Sequence, residues 1–164
     1  MAGAGIDRRT WMVGTACGVT LLACDRGRDR GAPATVPPEA AALFAELGPG
    51  TRLDRWTIVA VHPVRHGALP VVLRAGDGAP YQIDVLSRDS AGPPGVAQTR
   101  ALSLFVVNRG DGDTPTDEEQ GLGAMALAQA LAEREAAGAS LPTLSTFAER
   151  QAEHPDGAFA VPLG

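Results

Sequence analysis

The sequence predicts an α+β domain: a four- or five-stranded, mostly antiparallel sheet with helices packed on one face. Strand-like alternation and apolar runs recur between residues 55 and 108, and punctuation as short as Gly76-Asp77-Gly78 separates two of them. A long helical pattern follows only after Thr116. Strands first and helices afterwards segregate the two kinds of element, and short connections favour antiparallel neighbours.

In chain order, Glu39 to Leu47 is a short helix candidate, with Leu43, Phe44 and Leu47 apolar and Gly48-Pro49-Gly50 as its stop. Arg55 to His62 alternates, putting Trp56, Ile58 and Ala60 on one face and Thr57, Val59 and Val61 on the other. Ala68 to Arg74 and Pro80 to Leu86 are the next two strands, joined through Gly76-Asp77-Gly78, whose glycines supply the positive φ of a tight hairpin. In the second of these, Tyr81, Ile83 and Val85 share a face while Gln82 and Asp84 point away, which predicts one wet side of the sheet. Ser87 to Thr99 is a long connection rich in Gly and Pro, and Arg100 to Asn108 is an apolar fourth strand. Thr116-Asp117-Glu118-Glu119 reads as a capping box opening a helix that runs to about Ala137 and stops at Gly138. Many small residues along it, among them Gly121, Gly123 and Ala124, predict a close approach to the sheet. A shorter helix over about Thr143 to Glu153 and an apolar piece at Ala158 to Val161 complete the pattern.

The chain has 164 residues, 45% of them apolar, enough for one core. All 14 basic residues are arginine, which excludes Schiff-base lysine chemistry, a Ser-x-x-Lys nucleophile pair and a P-loop lysine. The net charge of −5 argues against a nucleic-acid partner, which needs a positive footprint. Cys17 and Cys24 are the only cysteines, so residues after 24 hold no disulfide and no thiolate metal site.

Asp7-Arg8-Arg9-Thr10-Trp11-Met12-Val13 resembles a twin-arginine export signal. The apolar stretch Trp11 to Ala23 is too short for a membrane span, which needs roughly 20 residues. Leu21-Leu22-Ala23-Cys24 resembles a lipobox, with lipid attached to Cys24 and cleavage before it, while Ala32-Pro33-Ala34 offers a different cleavage point. Residues 1–24 are therefore read as a signal, 25–38 as a flexible tether reaching about 20 Å, and 39–164 as one domain. This places the body outside the cytoplasm, membrane-anchored, in a bacterial periplasm or on the outer face of the inner membrane.

Candidate sites are few. His62 and His66 bracket a turn and form a partial ligand set for a metal or haem iron, with His154 or a carboxylate as a third ligand. Asn108, Asp111 and Asp113 offer oxygens to calcium without EF-hand spacing. Arg109-Gly110-Asp111 is a three-residue match to an integrin-read tripeptide, a length that chance supplies. Gly121 to Ala126 fits G-x-G-x-x-A but lies inside a helix rather than at a strand-to-helix turn, so packing explains it better than a dinucleotide. Ser87, His62 and Asp89 are the only triad worth naming, without a nucleophile-elbow motif. From Arg52 to Arg109 seven arginines face four acids, and from Asp111 to Asp156 ten acids face two arginines. That split favours docking through the sheet face and the 87–99 connection, with Arg88, Asp89 and Arg100 as contact residues, onto a membrane or a membrane-complex protein. The alternatives are a small metal or haem redox protein and, third, a hydrolase.

Overall fold

A computed structural model of the chain describes residues 35–107 and 115–154, all within one compact unit. The export signal with Arg8 and Arg9, the lipobox with Cys24, most of the tether, the calcium and integrin-like motifs at 108–113 and the Ala158 to Val161 piece lie outside the described residues.

Six antiparallel strands form one curled sheet: β1 (Arg52–Leu53), β2 (Trp56–Val61), β3 (Leu69–Ala75), β4 (Tyr81–Ser87), β5 (Ala97–Gln98) and β6 (Leu102–Val107), in the order β1-β2-β3-β4-β6-β5. The expected count of four or five was low because β1 and β5 are two-residue edge strands, too short to show a period. β5 emerges from within the connection expected to be irregular, pairing Ala97 with Leu104 and Gln98 with Ser103. Two helices follow, α1 (Asp117–Ala136) and α2 (Phe147–Glu153).

Three hairpins set the register. Asp54, at φ 56°, turns β1 into β2, and Gly76, at φ 49°, turns β3 into β4. Between β2 and β3 the tip is Arg65-His66-Gly67-Ala68, with reciprocal backbone bonds between Arg65 and Ala68 and φ values of 47° and 69° at His66 and Gly67. Left-handed residues at both central positions are the condition of a type I′ turn.

β2 departs from simple alternation. Val59 is an extra residue between the pairs Ile58↔Leu73 and Ala60↔Val72, a β-bulge. Beyond it the faces exchange: Trp56, Ile58 and Val61 are buried, whereas Val59 is exposed and Ala60 only half-buried. The expected face of Trp56, Ile58 and Ala60 thus holds only as far as the bulge.

α1 buries Gln120, Gly123, Ala124, Leu127, Ala128 and Leu131, a spacing of three and four that makes one stripe. The stripe shares one buried core with Trp56, Leu73, Tyr81, Ile83, Val85 and Leu104, and Gly123 meets Trp56 and Tyr81 directly. Thr116 caps the helix by accepting from Glu119 N, and Gly138 at φ 82° follows its end. Glu39 to Leu47 is not the expected regular helix. Pro38–Ala40 forms a single 3-10 turn and the rest continues as turns, yet Ala40, Leu43, Phe44 and Leu47 are buried as an inward face requires. Arg134 ties this segment to α1 through Glu46 (3.4 Å) and Ala42 O (3.3 Å).

The second helix occupies the other side of the sheet. Asp84 and Phe105 are cross-strand partners on the face opposite Ile83 and Tyr81, and α2 reaches them with Arg150 and Phe147. The expectation of helices on one face, with Gln82 and Asp84 in water, is corrected: both residues are buried, at 3% and 2% exposure.

Candidate functional site

Three groups of side chains have the chemistry to be considered. The first lies under α2. Arg150 Nη1 donates to Asp84 Oδ2 at 2.9 Å with both side chains almost wholly buried, and Gln82 Nε2 donates to Asp84 Oδ1 at 2.6 Å. Both carboxylate oxygens are therefore engaged by protein donors, which suits a structural anchor better than a proton-transfer group. Sequence reasoning missed it because Arg150 lies 66 residues from Asp84 in the chain.

The second lies under α1. Trp56 Nε1 and Tyr81 Oη are buried and have no hydrogen-bond partner. Both press against Gly123, where an added Cβ would collide with Tyr81 Oη and lie 2.8 Å from Trp56 Nε1. Burial pushes the Tyr81 phenol up to about 12; Arg55 opposes that shift and Glu119 adds to it. Arg55 also stacks its guanidinium 4.5 Å from the Trp56 ring centroid.

The third is the 87–101 connection with the adjoining turn. Its base is closed by Arg88 N to Ala101 O (2.8 Å) and Arg88 Nη1 to Thr99 O (3.0 Å). Thr99 Oγ1 accepts from Ala101 N and Leu102 N and donates to Glu135 of α1. Gly95 runs against the Leu104 backbone, too close for any Cβ. A segment pinned in this way presents a defined surface rather than a loose one. Val96 at its tip is 52% exposed, and Leu122 and Met125 of α1 are 42% and 58% exposed. Val96 approaches α1 at Gly121, and an open groove of about 600 Å³ lies between them, lined by Val96, Gln98, Met125, Gln129 and Asp54.

Of the residues expected from sequence, Arg88 and Arg100 are exposed on this connection, while Asp89 turns its carboxylate back onto Ala91 N at 2.9 Å. Ser87 donates its backbone N–H to Ser145 O. His62 is half-buried and its N–H bonds Pro70 O. His66 meets His154 instead, edge to face, with ring centroids 5.1 Å apart. Among the described residues, no group of three or more His, Cys, Asp or Glu is placed to hold a metal. No described helix is long and apolar enough to cross a membrane. The exposure of Val96, Leu122 and Met125 carried no sequence signal, because the pairing of β5 and the face that α1 buries decide which of their apolar residues stay outside.

The fold and these groups define an α+β domain on a curled six-stranded antiparallel sheet clamped between two helices. No family model, no curated protein and no solved structure matches the chain.

Proposed function

We propose that this chain is an exported accessory domain, anchored through a lipid on Cys24, that binds a protein partner of its membrane without catalysing a reaction. The observation that carries the reading is the exposure of Val96 and Met125 across one open groove between a pinned connection and α1, with Leu122 exposed on the same helix. Large apolar side chains grouped on a surface are characteristic of interaction sites, and arginine is enriched in such interfaces. Arg100 is exposed on the same connection, as is Arg88, whose Nη1 donates to Thr99 O. Because α1 and α2 cover the two sides of the sheet, docking moves from the sheet face to this connection and α1.

The test has two parts. Mass spectrometry of the protein from native membranes is expected to show an acylated Cys24 as its first residue, and an intact amino terminus overturns the anchoring. Val96→Asp with Met125→Glu is expected to release the membrane partner that cross-links to the unaltered protein, while its melting temperature stays within a few degrees. Retention of every cross-linked partner overturns the docking surface.

A further inference from the structure

The pairing of His66 with His154 has an explanation that does not depend on the docking surface. We infer that these two imidazoles form a chelating site for one divalent transition cation of the zinc and copper class, clamping the β2–β3 turn to the end of α2. Three observations converge on it. The rings lie 5.1 Å apart by centroid, edge to face with planes 81° apart; two imidazoles on one tetrahedral zinc, each nitrogen about 2.1 Å from the metal, put their centroids about 5 Å apart, so the pair is at chelating distance once ring rotation turns a nitrogen of each toward the shared cation. No ring nitrogen of either residue is engaged in a hydrogen bond among the described residues, so lone pairs are available to a cation. His66 also sits at φ 47°, in a turn position that Asn or Gly fills at lower cost, so the fold tolerates strain to place an imidazole there.

The two elements are already held in register. Ser145 N donates to Gly67 O at 2.8 Å, and Ser145 O accepts from Ser87 N at 3.0 Å. A Cβ at Gly67 would collide with the Ser145 side chain, so Gly67 lets the turn and the approach to α2 meet. His154 caps the last turn of α2, its N–H bonding Arg150 O at 2.9 Å. Imidazole nitrogen is a borderline-soft ligand that selects zinc, copper or nickel over magnesium and calcium. With no third protein ligand among the described residues, water completes the coordination.

The test uses the full chain carrying Cys17→Ser and Cys24→Ser, so that thiols do not compete for metal. Calorimetric titration with zinc chloride is expected to show one equivalent bound, weakened at least tenfold by His66→Asn and by His154→Gln. Asn suits the left-handed turn, so the first variant keeps its fold and separates ligation from folding. Zinc is further expected to raise the melting temperature of the parent and of neither variant, since a ligand held only by the native state stabilises it by mass action. The inference is overturned if no saturable binding occurs or if both variants bind as tightly as the parent. Equal weakening by His62→Ala overturns it too, by returning the site to the His62–His66 turn.

Discussion

On one side of the sheet, α1 lays a stripe made mostly of Gly, Ala and Leu against a largely apolar surface; on the other, the seven-residue α2 reaches down to a buried ion pair. The first side is held by area and close approach, with Gly123 letting the helix settle onto Trp56 and Tyr81. The second has little area to offer, and its specificity comes from Arg150 meeting Asp84 between Gln82 and the stacked rings of Phe105 and Phe147. Closure by apolar area degrades gradually under mutation, whereas closure by a buried charge fails when either partner is removed.

The largest expected effect follows directly. Asp84→Ala or Arg150→Ala strands one charge in the interior and is expected to cost about 3–5 kcal/mol, read from the urea midpoint at constant m. Replacing both together, Asp84→Leu with Arg150→Met, is expected to cost far less than the sum, because no unpaired charge is left. Single variants that cost under about 1 kcal/mol would show that the α2 side does not depend on the pair.

On the α1 side the expected effects are smaller and their signs diverge. Gly123→Ala gains helix propensity of about 1 kcal/mol but drives a methyl into Tyr81 Oη, and overpacking of about 1–3 kcal/mol wins. Adding Tyr81→Phe removes the colliding oxygen and is expected to restore part of the loss. Gly121→Ala is the control: its Cβ would lie 3.6 Å from Val96 Cγ1, an ordinary contact, so propensity alone acts and the helix gains up to about 1 kcal/mol. Equal shifts from the two substitutions would mean that α1 does not approach the sheet where Gly123 faces it.

Tyr81 gives this side a pH signature. Its phenol keeps its proton up to about 12 in the folded state, against 10.0 in an unfolded chain. Between those values the unfolded state has released the proton and the native state has not, so stability falls as pH rises. The contribution is complete below pH 10 and gone above pH 12, and it amounts to about 3 kcal/mol. Chemical denaturation from pH 9 to the alkaline limit is expected to show this decline in the parent and a shallower one in Tyr81→Phe. Identical slopes would place the phenol in water.

These differences also mark what the sequence could disclose. Periodicity and punctuation located β3, β4, β6 and α1 to within one or two residues, because each follows from local chemistry: alternation, Gly76 in a left-handed turn, Thr116 before a run of acids. The bulge at Val59 was hidden because Val-Ala-Val continues a plausible alternation whether or not a residue is inserted. The buried polar side of β4 was hidden for the opposite reason, since Gln82 and Asp84 look solvated until a guanidinium from the far end of the chain arrives. His66 and His154 are likewise remote in sequence, so local spacing paired His66 with His62 and left His154 as one option for a third ligand. Long-range pairing of polar groups leaves no period to read.

The smallest effect tests whether α2 closes its side as a unit. Thr146 and Glu149 form a complete capping box: Thr146 Oγ1 accepts from Glu149 N at 3.3 Å, and Glu149 Oε2 accepts from Thr146 N at 2.7 Å. Thr146→Ala is expected to cost about 1 kcal/mol, as does Thr116→Ala at the head of α1. The consequences for local opening should differ. α1 has two further turns of buried stripe and keeps its amides protected, whereas α2 is two turns long in all and frays through Arg150. Native-state hydrogen exchange is therefore expected to show faster exchange at Arg150 and His154 in Thr146→Ala, with residues 124–131 unchanged in either variant. Equal protection at Arg150 in parent and variant would mean that the Asp84 contact alone holds α2, and the comparison between the two sides would then rest on the ion pair without the cap.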